Sequence, residues 1–248
     1  MGVVSRLLIE YDGTEFSGWA RQPGLRTVQG ELERALCVVL RRDSVPLTVA
    51  GRTDAGVHAL GQVASYDGEP VRADSINAVL PYDVAVIECV AAPPGFDARR
   101  DATSRAYIYR VLTRRSRSAF ERRRALHWPH PLDLGALRAC ADLLGGEHDF
   151  TAFTPTETDH VRFERIVLGA AWAPAGPELL EFRIEADAFM RNMIRVLVGT
   201  MLEVGGGRRS IGAFAELLHG RPRADAGATA PPQGLHFLGA GYGGARVM

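Results

Sequence analysis

Val45-Pro-Leu-Thr-Val-Ala-Gly-Arg-Thr-Asp-Ala-Gly-Val-His-Ala-Leu-Gly-Gln-Val-Ala-Ser-Tyr66 sets two strand-like runs, Val45 to Ala50 and Gly61 to Tyr66, on either side of a small-residue loop. The loop holds one guanidinium, Arg52, and one acid, Asp54. Gly51 and Gly56 bound it and permit positive φ and close approach of a ligand. Loops held on rigid strands collect catalytic and binding residues, although an Asp beside a Gly also serves as a local turn cap. Working outward, Val4 to Tyr11 alternates like a strand with Leu7, Ile9 and Tyr11 on one side. Val28, Leu32, Ala35, Leu36, Val39 and Leu40 recur at helical spacing after Thr27, a helix N-cap. A short helix from Asp74 to Leu80 and a strand from Val84 to Val90 complete a strand-helix-strand-strand-helix-strand series, the split βαβ order.

A similar rhythm follows. Tyr107 to Leu112 reads as a strand and Leu132 to Leu144 as a helix. Ile166 to Trp172 and Leu179 to Ile184 read as strands, divided by the turn Pro174-Ala-Gly-Pro177. Phe189 to Val204 predicts a long apolar helix, Ile211 to Leu218 a short one and Leu235 to Tyr242 a final strand. The expected architecture is α+β, with two split-βαβ domains carrying antiparallel sheets, residues 1–104 and 105–248. Arg114 to His130 and Gly145 to Arg165 lack a clear period and are long for connections, which marks them as functional or mobile.

The 248 residues, 46% hydrophobic and 23% charged, suit a globular protein with a sizeable core. Net charge is zero, yet between Arg99 and Arg124 ten arginines face only Asp101 and Glu121. That local basic field makes the Arg114 to His130 segment a candidate nucleic-acid contact. No lysine occurs, which excludes lysine Schiff-base chemistry and a GxxxxGK phosphate loop. Cys37, Cys89 and Cys140 stand far apart in apolar surroundings, as buried reduced thiols do in a reducing compartment. No leader pattern and no membrane-length apolar run is present, so the expected location is cytoplasmic, with no membrane contact.

Asp54 is the leading catalytic candidate, because a carboxylate can act as nucleophile or general base and stays ionised beside a guanidinium. Arg52 either shares its face or turns away. Arg191 and Arg195, four apart in an apolar helix, would lie on one face and need an acid partner, which Asp54 could be. Tyr107 and Tyr109 share a strand face next to the basic run, a pattern suited to stacking on unpaired bases while gripping phosphates. His127, His130 and the doublet His148-Asp149 find no further ligands at a familiar metal spacing, so no metal is expected. A nucleoside hydrolase would need a second acid, for which Asp149 and Glu185 are available.

Tyr11-Asp-Gly-Thr-x-Phe-x-Gly-Trp19, Thr27-Val-Gln-Gly-x-Leu-Glu33, Gly51-Arg-Thr-Asp-Ala-Gly-Val-His58 with Gly61-Gln-Val63, Phe96-Asp-Ala-Arg99, Arg105-x-Tyr-x-Tyr109, Gly146-x-His-Asp-Phe150, Met193-Ile-Arg195 with Val198-Gly-Thr200, and Ala230-Pro-x-x-Gly-Leu235 together resemble the tRNA pseudouridine synthase A family. The motifs run in order over almost the whole chain. The resemblance implies a cofactor-free isomerase, homodimeric, that converts uridine to pseudouridine at positions 38, 39 and 40 of the tRNA anticodon stem-loop, in a cleft between two RRM-like (ferredoxin-like) domains. It makes Asp54 the catalytic aspartate, attacking either ribose or the uracil ring. It makes Tyr107 the tyrosine that stacks on the target uracil, Arg195 the arginine paired with the aspartate, and Arg52 the residue filling the gap left by the everted nucleotide. Ala20, where the family usually has Gln, and Val196, where it often has Asn, depart from the pattern and bear on tRNA contacts rather than on the chemistry.

Overall fold

The computed structural model describes residues 2–158 and 161–248. In chain order the elements are β1 (Val4–Tyr11), α1 (Val28–Leu40), β2 (Thr48–Val49), β3 (His58–Asp67), α2 (Ala73–Asn77), β4 (Val84–Ala92) and β5 (Ala102–Leu112). There follow β6 (Leu126–His127), α3 (Leu134–Asp142), β7 (Gly146–Asp149), β8 (Glu164–Gly176), β9 (Leu179–Ala186), α4 (Met193–Gly205), α5 (Ile211–Glu216) and β10 (Leu235–Tyr242). The chain forms two compact units, Met1–Arg105 with His236–Val247, and Ala106–Leu235 with Met248. The last strand thus belongs to the first unit, whereas local rhythm had grouped it with the second half.

In the first unit β1 runs antiparallel to both neighbours, Leu7 facing Ala64 of β3 and Cys89 of β4. On the far side of β3 lie β2, antiparallel through Val49 and Ala64, and β10, parallel through His236–His58 and Phe237–Ala59. With partners on both edges, β3 is buried along almost its whole length, as a central strand covered on both faces must be. Thr27 caps α1, its side-chain oxygen accepting from Gly30 N at 3.3 Å, and Val28, Leu32, Ala35 and Leu36 form the buried stripe that the spacing predicts. The strand expected from Val45 shrinks to two residues. Pro46 has no N–H to donate to a ladder, so pairing starts only beyond it, at Thr48.

The second unit arranges its strands β5-β9-β8-β7, with β6 laid parallel on β5 through Val111–Leu126 and Leu112–His127. Trp172 of β8 stands opposite Phe182 of β9, both buried. The helix expected from Phe189 begins four residues later at Met193, because Asn192 adopts φ +61, the left-handed conformation that Asn tolerates better than most residues. Arg191 therefore precedes α4 and is exposed, and it does not share a helical face with Arg195. Met193, Val196, Leu197, Val198, Thr200 and Met201 of α4 are all fully buried, as expected of a helix that is apolar nearly all round. Among the described residues no helix is long and apolar enough to cross a membrane. The architecture is mixed α+β and dominated by sheet.

Candidate active-site residues

In the first unit, the Asp54 loop is fixed by its neighbours. Thr53 is clamped twice: its carbonyl accepts from Trp19 N at 3.0 Å, and its hydroxyl lies 2.7 Å from the Tyr11 hydroxyl. Gln62 Nε2 ties the same region together, donating to the Gly51 carbonyl at 2.8 Å and to the Tyr11 hydroxyl at 3.3 Å. Val57 N donates to the Asp54 carbonyl at 3.2 Å, closing a turn in which Gly56 takes φ +77, a conformation that demands glycine at that position. Gly51, by contrast, does not adopt positive φ; its service is the carbonyl offered to Gln62. The backbone approach at Gly18 is tighter, since at φ +92 an added Cβ would lie 2.9 Å from the Thr53 carbonyl oxygen.

Asp54 is left half-buried at the turn, and Arg52 is exposed. Arg52 forms no ion pair with Asp54 or with any other of the described residues. Tyr11, Thr53 and Gln62 were not singled out from sequence as a group. Each looks like an ordinary strand or loop residue, and only the pairing of β1 with β3 brings them together.

Burial pushes the Tyr11 hydroxyl up to about 12, against the smaller opposing pull of Thr53 and Gln62. Tyr109 is raised by burial too, with the Arg195 charge opposing. An unfolded tyrosine titrates near 10. Below that pH both states keep the proton and the stabilisation is complete; between about 10 and 12 the unfolded chain ionises first, and each such tyrosine removes up to about 1.4 kcal/mol per pH unit. Alkaline titration should therefore show tyrosinate absorbance rising together with loss of ellipticity above pH 10. Full ionisation near pH 10 with unchanged ellipticity would contradict it.

The second unit carries the remaining candidates. Tyr107, on β5, is 7% exposed, its ring meeting Phe189 edge-on at 5.2 Å. Tyr109, two residues on, is fully buried and donates to the Pro231 carbonyl at 2.8 Å. Arg195, half-buried on α4, donates from Nε to the Ala230 carbonyl at 2.7 Å and from Nη1 to Asn192 Oδ1 at 3.0 Å. Ala230 N returns a bond to the Arg195 carbonyl at 3.0 Å. The guanidinium is thus aimed by the left-handed Asn192 and by the Ala230-Pro231 segment together. Phe189 and Asn192 had no distinguishing signal in the sequence, because both fell inside an apparent helix.

Other expected residues settle into structural duties. Asp149 Oδ1 accepts from Thr151 N at 2.8 Å and from its hydroxyl at 2.6 Å, a local turn, and His148 donates to the Gly145 carbonyl at 3.1 Å. Glu185 is fully buried and accepts from Met248 N at 3.1 Å. Among the described residues no three His, Cys, Asp or Glu side chains gather as metal ligands.

The sequence pattern described as tRNA pseudouridine synthase matches residues 7–84 and 140–243. The chain belongs to the tRNA pseudouridine synthase family. It is similar to tRNA pseudouridine synthase A of Geobacillus sp. (strain WCH70), 42% identical over 234 residues, covering 92% of this chain and 94% of that protein. It is 46% identical over 245 residues to tRNA pseudouridine synthase A of Frankia casuarinae, covering 96% of this chain and 88% of that one. Among solved structures, a Cbf5-Nop10-Gar1 complex gives a TM-score of 0.39 at 11% identity, over 94% of this chain and 57% of that one. As a tRNA pseudouridine synthase the chain is an isomerase that converts uridine to pseudouridine in tRNA. The matched stretches include Arg52, Asp54 and Arg195; Tyr107 falls between them. Of the departures from the synthase pattern, Val196 is fully buried inside α4, where an Asn would need a buried partner.

Proposed function

We propose that this synthase acts on uridines 38, 39 and 40 of the tRNA anticodon stem-loop, with Asp54 as nucleophile. The observation that supports it is the Asp54 turn itself, a carboxylate left half-buried on a loop whose preceding residue is clamped through both backbone and side chain. Attack by the carboxylate on ribose or on the uracil ring lets the bond from C1′ to N1 break. The base turns, C1′ bonds to C5, the C5 hydrogen leaves as a proton and N1 gains one, so the composition is unchanged and no redox partner or activated donor is needed.

Arg195 is proposed to pair with the carboxylate, Tyr107 to stack on the target uracil, and Arg52 to fill the space of the everted nucleotide. Exposure and the lack of a partner among the described residues suit Arg52 to that role. Extruding a stem nucleotide costs a few kcal/mol, which phosphate contacts offset. The working form is proposed to be a cytoplasmic homodimer of chains built from RRM-like domains. The experiment is incubation of the protein with tRNA tritiated at uracil C5. Tritium release with pseudouridine at 38 to 40 supports the proposal; free uracil would make the protein a hydrolase, and modification at other positions would overturn the site.

Arg195→Ala should lower turnover about 100-fold while changing tRNA affinity no more than about threefold, and Arg195→Lys should recover little, because a point charge cannot reproduce the forked geometry. Single-turnover tritium release and filter binding separate the two effects. An affinity loss as large as the rate loss would make Arg195 an RNA-binding residue instead.

A further inference from the structure

Phe120 is 91% exposed. A single exposed apolar residue is ordinary on a protein surface, but the setting of this one is not. Residues 113–125 leave the end of β5 and return to β6, and the base of the excursion is pinned: Thr113 N donates to the Glu178 carbonyl and Trp128 N to the Leu112 carbonyl, each at 2.8 Å, and His127 Nε2 to the Arg114 carbonyl at 2.9 Å. The arm is braced by Arg114, which donates to the Ser116 carbonyl at 2.9 Å and to the Arg117 carbonyl at 3.1 Å. At the tip, buried Ser118 caps a single turn, its hydroxyl accepting from Phe120 N at 3.2 Å and Glu121 N at 3.1 Å. The ring is therefore held outward on an ordered support.

The charge around it is equally one-sided. Arg115, Arg117 and Arg122 are exposed, and their guanidinium groups have no hydrogen-bond or ion-pair partner among the described residues. The acid of the segment, Glu121, is turned to Arg110 at 3.1 Å, which removes it as a competitor. An outward aromatic ring on a braced turn among unpaired guanidinium groups has the two components of a stacking platform for single-stranded nucleic acid: a π face for the base and cations for the phosphates.

We propose that the Phe120 ring stacks on an unpaired nucleotide of the tRNA other than the target uridine, with Arg115, Arg117 and Arg122 on the flanking phosphates. This rests on the tRNA reading above. It assigns to the region a base contact, and not only the electrostatic attraction that the arginine count implies.

The test measures filter-binding affinity of an unmodified tRNA transcript, its salt dependence, and molecular mass by light scattering. Phe120→Ala should weaken binding on the order of tenfold, a loss that Phe120→Trp restores. Changing Arg115, Arg117 and Arg122 together to Gln should reduce the slope of log affinity against log salt by about 2 to 3. Unchanged affinity in Phe120→Ala overturns the proposal. So does a halved mass in that variant, which would give the ring to a second copy of the chain. If the parent protein binds tRNA through Phe120 but releases no tritium, the catalytic reading fails while the stacking surface stands.

Discussion

Asp54→Asn should bind tRNA within about threefold of the parent and lose tritium release by at least about 10³-fold, the scale on which removal of a nucleophile acts. The amide occupies nearly the same volume but has neither the charge nor the nucleophilic oxygen. The loop should keep its form, because four contacts that fix it run through other atoms: Thr53 O to Trp19 N, Thr53 Oγ1 to Tyr11, Gly51 O to Gln62, and the Asp54 carbonyl to Val57 N. An unchanged circular dichroism spectrum and melting temperature would separate loss of chemistry from loss of fold. Release within tenfold of the parent would remove Asp54 from the nucleophile role.

Gly199→Ala should be among the most damaging single substitutions to stability. Gly199 lies on α4 where the segment carrying Ala228 passes, and an added Cβ would drive into the Ala228 carbonyl with no flexible side chain to yield. Overpacking against backbone costs about 3 kcal/mol, or roughly 10 °C in melting temperature for a chain of this size. The effect should reach Arg195, since the displaced segment supplies the Ala230 carbonyl that accepts from its Nε. Thermal unfolding measures the first effect, and turnover well below the melting temperature the second. A melting temperature within 2 °C of the parent would show that the segment shifts freely and that the close approach has no structural weight.

Much of the fold was legible because it is written in local periodicity. The limits of β1, α1 and β10 and the Thr27 cap coincide with the spacing and capping signals. Departures arise where one residue overrides its window: Pro46 shortens β2 by lacking a donor, and Asn192 starts α4 late by turning left-handed. Others arise where the decisive contact is distant, as with β10, which joins the first unit through β3. Of the candidate residues, Asp54 and Arg52 stood out through the chemistry of a short loop. Tyr11 and Gln62, which hold that loop, meet only after strand pairing, and Phe189 beside Tyr107 belonged to an apparent helix.

The parallel pairing of His236 and Phe237 with His58 and Ala59 sets a timetable for synthesis. The N-terminal unit cannot close when its own first hundred or so residues have emerged, because one partner of its central strand is made only after the whole second unit. At about 5–20 residues per second, that segment of β3 waits on the order of ten seconds or more with an open edge. A sequence-distant parallel closure is slow to form, and an open strand edge invites pairing with other chains. Nascent or C-terminally clipped chains of this enzyme should accordingly be the forms that engage chaperones and aggregate.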